Sequence, residues 1–286
     1  MDPDGSIVGC FGPPSAVRVQ RVLFAARGWI AEQERMVSLG RALLLLHAHQ
    51  WPPERIEVWV RCFEQVLVHA PLSEMAALRA KLRRGGARVE EQLTLWVAAA
   101  SDVRAEAATV RGGHPLPEGW TLSELPTEGA EAIVQEVQAM QEVAGLAPLP
   151  GWYLRGADGQ ALTLILRDRA GRLAGSATVG AATSTEERGA SVVREPQLAL
   201  MSVEVSPARP PEGMGVLVNH CLRQDARGRG LGVLLSSEAL RAACERFSLQ
   251  SLVAITAEHD DRARRIARRC GFSPHPSEGV VFVEGT

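Results

Sequence analysis

One lysine, Lys81, is all that the 286 residues contain. A P-loop needs a lysine directly after its glycines, so that way of holding a nucleotide is excluded. Cysteine is scarce and scattered: Cys10, Cys62, Cys221, Cys244 and Cys270 form no CxxC pair for zinc or dithiol chemistry, and reduced, mostly buried thiols are expected. The apolar run at residues 42–46 is far too short to cross a bilayer, and the start lacks the charged-then-apolar pattern of a signal peptide. A cytoplasmic protein without a membrane partner is therefore expected. Excess charge is missing too, the formal net charge being −2, which gives no case for nucleic acid as a partner. No internal repeat is visible, and residues 183–197 and 206–213 read as loops.

What remains is an ordinary globular composition, 46% hydrophobic and 22% charged, long enough for a large core. Between residues 15 and 109 the pattern is helical. Pro52 and Pro53 fit the first turn of a helix carrying Ile56, Val60, Phe63 and Leu67, and Ser73 fits the cap of another bearing Met75, Leu78 and Leu82. Gly85 and Gly86 interrupt, and helical spacing resumes over 89–107. This predicts an all-α N-terminal domain over residues 1–110, then a linker at 111–118 where glycine and proline break both periods.

From residue 119 to 286 the period changes. Residues 120–125 read as a strand, 129–143 as a helix, and 150–155 as a short turn or helix with Trp152 and Tyr153. Residues 162–167 and 173–179 alternate around Ala170-Gly171 as a hairpin should, and 198–205 and 216–222 form a further strand pair. A strand at 252–256, a helix at 261–270 ended by Gly271, and a strand near 280–283 follow. The class is α+β, a mixed sheet flanked by helices.

The densest signal is HCLRQDARGRGLGVLLSSEALRAACERF, residues 220–247. Gly228, Gly230 and Gly232 allow close backbone approach, and Val233, Leu234, Leu235, Ala239, Leu240, Ala243 and Phe247 fall at helical spacing. Bare amides at a helix start attract anions, and Arg227 and Arg229 add forked donors. The plain alternative is a surface strand-to-helix turn.

RGRGLG, with Leu222 five residues before Arg227, resembles the acyl-CoA signature of the GNAT superfamily of acyltransferases, written Arg/Gln-x-x-Gly-x-Gly/Ala and filled here by Arg227, Gly230 and Gly232. Ala263, Ile266, Gly271 and Phe272 match the family's next helix in register. Asp260 stands for its asparagine, and Ala267 for the tyrosine that often protonates the departing thiolate. The resemblance implies acetyl-CoA or another acyl-CoA as co-substrate, no metal, and transfer to the amine of a small molecule or protein. It implies that the amides of Gly228, Arg229, Gly230, Leu231 and Gly232 hold the pyrophosphate, that Leu222 lies beside pantetheine, and that Asp260 lies near the cofactor. Because of Ala267, a catalytically weak acyl-CoA-binding module stays open, as does a module that docks a carrier or partner protein through the helical front. A homodimer also stays open.

For proton movement the first candidate is His220, placed by period-two alternation on one face with Val216, Val218 and Leu222. The alternative is a buried histidine satisfied by a carbonyl. Glu204 on the neighbouring strand, with an ordinary outward-facing carboxylate as the alternative, and Glu258 after the next strand, with a polar helix entry as the alternative, are further catalytic candidates. Trp152 and Tyr153 are candidates for a substrate wall, with core packing as the alternative.

Overall fold

The computed structural model describes residues 9–33, 35–157, 160–182 and 213–285. The described residues form one mixed sheet of ten strands, whose order across the sheet is first, second, third, tenth, fourth, ninth, eighth, seventh, sixth and fifth in chain numbering. The strands are β1 (Met36–Ser38), β2 (Leu43–Leu45), β3 (Gln65–Pro71), β4 (Arg88–Ala99), β5 (Thr121–Glu124), β6 (Ala161–Arg167), β7 (Leu173–Ala182), β8 (Met214–Leu222), β9 (Ser251–Ala257) and β10 (Ser273–Glu284). The helices are α1 (Pro14–Glu32), α2 (Pro53–Phe63), α3 (Leu72–Arg84), α4 (Ala100–Gly113), α5 (Glu131–Val143), α6 (Gly151–Leu154), α7 (Leu231–Arg246) and α8 (Asp261–Arg269).

The α+β class and the flanked mixed sheet stand as expected. The front is rich in helices but is not all-α: residues 36–99 contribute four strands. Nor does the stretch 111–118 separate two sheets, since β4 from before it lies between β9 and β10 from after it. Residues 89–107, read as one helix, divide into the end of β4 and the start of α4. The expected strand at 198–205 lies outside the described residues.

The topology carries a repeat that the amino-acid text hides. In the front, β2 and β3 run parallel with α2 between them, and α3 and β4 follow; in the back, β8 and β9 run parallel around α7, and α8 and β10 follow. Each half gives its last strand to the other: β4 pairs with β9, and β10 pairs with β3. The two halves therefore meet in a seam of side-by-side main-chain bonds between β4 and β10. Trp96 secures the β4 side, fully buried, with its indole N–H donating to Thr256 Oγ1 at 2.8 Å.

Opposite faces of the back half have separate covers. A side chain built at Gly175 of β7 would meet Leu235 of α7, whereas one built at Gly180, an odd number of residues on, would meet Tyr153 of α6. Hence α7 and α6 lie on opposite faces of the sheet. Arg223 fixes the end of β8 by donating to the Leu173 carbonyl at 2.7 Å and to Asp168 at 2.8 Å, so the chain leaves the sheet at a set place before the glycines.

At the other half's seam, buried His69 of β3 meets Glu278 of β10 through Nε2 at 3.0 Å, while its Nδ1 accepts the His47 amide at 3.1 Å. That pairing fixes the neutral tautomer. Burial lowers the His69 pKa, and Glu278 only partly opposes it. An unfolded histidine, near 6.5, takes up a proton that folded His69 refuses, so this stability is full above about pH 6.5 and is lost as pH falls through the lowered folded value. His69→Gln is therefore expected to narrow the drop in melting temperature between about pH 7.5 and about pH 5.5. An unaltered drop would show that other groups set the acid sensitivity.

Candidate active site

The site arises where the sheet comes apart. Strands β8 and β9 pair only from Met214 to Leu217 against Ser251 to Ala254. At that point β8 bulges: Leu217 faces Val179, but Asn219 faces Thr178, leaving Val218 between. A bulge bends its strand away and shifts the alternation by one residue. Beyond it the edge of β8 turned toward β9 has no strand partner among the described residues, and a cleft of about 830 Å³ opens between Val218–Leu222 and Ile255–Ala257. That volume and the run of free main-chain groups suit an extended ligand.

The bulge corrects the expected facing of β8. Residues opposite each other across a strand pair share a face, so His220, opposite Ala177, lies with Leu217 and Leu222 on the α7 face. Val216, Asn219 and Cys221 take the other face, and Val218 packs toward the Gly180 position there. Thus His220 and Leu222 remain together, while Val216 and Val218 do not join them. His220 lines the cleft, and burial lowers its pKa, with Asp260 raising it less and Arg262 lowering it. Cys221 bonds to Ser176 at 3.4 Å, and burial raises its thiol pKa, so it is not an activated nucleophile.

At the α7 end of the cleft lie Arg227, Gly228, Gly230 and Gly232. Gly230 is the α7 N-cap with φ 76° and makes no side-chain cap bond, so among the described residues no cap side chain takes up the first amides of this 16-residue helix. Gly228, φ 81°, has nothing within 4 Å of where a Cβ would stand. Arg227 is anchored by Nε to the Leu222 carbonyl at 3.2 Å and still reaches the cleft wall. Arg229 is exposed and does not belong to that wall, and neither does exposed Glu258, whose carbonyl accepts from Arg264. Asp260 lines the cleft, but its carboxylate is occupied as the cap of α8, accepting from the amides of Arg262 at 3.1 Å and Ala263 at 2.9 Å. Glu204 lies outside the described residues.

Trp152 and Tyr153 belong to the core, 1% exposed each, and line no part of the cleft. Trp152 packs on Phe24, and the Tyr153 hydroxyl donates to the Ser38 carbonyl at 3.2 Å. Their ordering is nevertheless useful, because the Tyr153 ring supports Gly40, φ 75°, and so places Arg41. Ala267 is buried and lines the cleft, so this position presents no hydroxyl to it.

Three residues escaped the sequence reading. His114, from the stretch read as linker, covers Gly230 and meets Arg269 of α8. Asn219 and Arg41 both line the cleft on the face opposite His220 or beyond it. Punctuation by glycine and proline hid the first, the bulge hid the second, and the helical reading of the front hid the third. Among the described residues no cluster of three or more His, Cys, Asp or Glu is arranged to hold a metal, and no helix is long and apolar enough to cross a membrane.

No family model matches the chain, and no curated protein matches it. Solved structures do. A tandem GNAT protein from the clavulanic acid biosynthesis pathway superposes with a TM-score of 0.52 at 16% identity, over 85% of this chain and 74% of its own. A GCN5-related N-acetyltransferase from Kribbella flavida gives 0.51 at 13% identity, over 94% and 96%. At such identities the likeness speaks for the fold, and it extends through the front half that the sequence left unassigned. Splayed parallel strands, a glycine turn at the α7 start and this agreement together show that the chain has the fold of the GNAT superfamily of acyltransferases.

Proposed function

We propose that the protein transfers an acetyl or other short acyl group from acyl-CoA to an amine. The observation that carries this reading is the cleft that starts at uncapped α7 amides and passes between β8 and β9. The residues present fit such a ligand. The loop at 228–231 with Arg227 offers amides and a guanidinium to the pyrophosphate, and the open edge of β8 offers main-chain bonds to a pantetheine amide. In the reaction an amine attacks the thioester carbon, the C–S bond breaks, the amine loses one proton, and coenzyme A departs as the thiol.

His220 is the imidazole placed for that proton. Burial keeps it neutral at pH 7, the form that accepts a proton directly or through one water. It shares the α7 face of β8 with Leu222, the residue proposed to lie beside the thioester arm. His220→Ala is expected to lower the transfer rate by about 10²-fold or more while coenzyme A affinity stays nearly unchanged. The wild-type acid limb should fall below the ordinary histidine value, since the pKa is lowered. Full turnover by the variant would take histidine out of the mechanism and direct attention to Glu204.

A second reading, an acyl-CoA-binding module with little catalysis, is favoured by Ala267, which cannot donate a proton. A thiolate is a good leaving group, so loss of that acid costs less than loss of the base. Ala267→Tyr should therefore leave the rate unchanged or raise it modestly.

A further inference from the structure

Arg41, Ala144 and Leu146 also line the cleft, and the contacts of Gly40 with Tyr153 and of Tyr153 with Gly180 set Arg41 near Val218, where β8 and β9 part, rather than at the glycine loop. Arg41 comes from the β1–β2 turn of the front half, held by Gly40 against Tyr153. Its guanidinium donates to the Ala147 carbonyl, and no carboxylate among the described residues pairs with it. Burial lowers its pKa, with Tyr153 as the other influence. Arg41 is half-buried, and a partly desolvated cation with no carboxylate partner among the described residues gains when a ligand brings an anion. Asp260, the one carboxylate of the cleft wall among the described residues, caps α8 on the other side.

Asn219 supplies the second donor. It is 6% exposed, and its Nδ2 has no hydrogen-bond partner among the described residues. It lies opposite Thr178, two residues from Gly180, and so shares the sheet face that Tyr153 covers. Arg41 and Asn219 thus reach the cleft from the same side, opposite to the α7 face that carries the phosphate loop. A guanidinium and an amide N–H, with Leu146 as apolar floor, match a carboxylate better than a neutral amine.

We infer that Arg41 and Asn219 form an anion subsite at the acceptor end of the cleft, and that the acceptor is an amine bearing a carboxylate. This rests on the acyl-transfer reading. It also gives the front half a task, completion of the acceptor pocket. A phosphate-binding role for Arg41 is disfavoured, because the glycine loop lies on the other face.

The test uses the full chain with acetyl-CoA and matched acceptors: L-glutamate, L-phenylalanine and β-alanine, each against its amide. The wild type is expected to favour the acids by about 10-fold or more in kcat/KM, and Arg41→Met to lose about 10²-fold on the acids with little change on the amides. Arg41→Lys should recover part of the loss, and coenzyme A affinity should not move in either variant, which checks their folding. Equal use of acids and amides by the wild type, or a preference kept by Arg41→Met, overturns the subsite. If no amine is acylated, the transfer reading fails, and calorimetry on coenzyme A-saturated protein still decides the subsite. Binding of the acids that Arg41→Met abolishes supports it; no difference between acids and amides overturns it.

Discussion

Gly228→Asp is expected to weaken coenzyme A binding by about 10²-fold or more, with melting temperature nearly unchanged. The substitution is informative because of where it stands. A Cβ at Gly228 meets nothing within 4 Å, and aspartate tolerates the left-handed φ of 81° better than most residues. What changes is charge: a carboxylate enters the loop whose amides and Arg227 are proposed to hold the pyrophosphate. Gly230 is a poorer choice, since a Cβ there runs into the His114 ring and would disturb packing along with charge. Calorimetry should also find one site per chain. The matching place in the front half is the α2 start, where Pro52 is the cap and proline occupies the first turn, so amides are missing. Undiminished affinity in Gly228→Asp would remove the loop from the ligand.

A chain beginning at Pro115 is expected not to fold. The helical reading of residues 1–110 suggests the opposite, an independent unit behind a linker. In the structure that cut removes β4 from between β9 and β10, leaving both with bare main-chain edges, and strips α4 from α7. Buried Glu238 of α7 would also lose its bond from Arg111 of α4. Removing Trp96 and the apolar face of α4 exposes much of the core around α7. Aggregation or the absence of a cooperative melt is the expected result. A soluble fragment with a sharp transition and retained coenzyme A affinity would show that the two halves are separable.

Sequence signals carried unequally far. The back half was legible because its strands alternate, Gly171 marks a hairpin, and Gly271 ends a helix whose Asp260 caps it. The glycine loop was legible because close main-chain approach demands glycine, which composition shows directly. The front strands were not. β2 is three buried leucines, and β4 mixes Glu90 with Leu93, Leu95 and Val97 before running into the alanines of α4, a pattern that also fits a helix. Strand exchange between halves depends on pairings far apart in the chain, which local periodicity cannot report. At the site, one extra residue in β8 turned Val216 away from His220, and no composition rule marks such a bulge. Trp152 and Tyr153 were noticed as aromatics, and their effect on the pocket runs through the placement of Arg41.

The central claim is acyl transfer to an amine, and amine-dependent release of free thiol from acetyl-CoA by the full chain tests it most directly. Thiol should appear at a rate that rises with amine concentration, with the acylated amine detected by mass in equal amount, and Gly228→Asp should suppress both. Tight coenzyme A binding with no amine-dependent thiol, across the carboxylate-bearing and neutral acceptors, would contradict the claim and leave a binding module in its place.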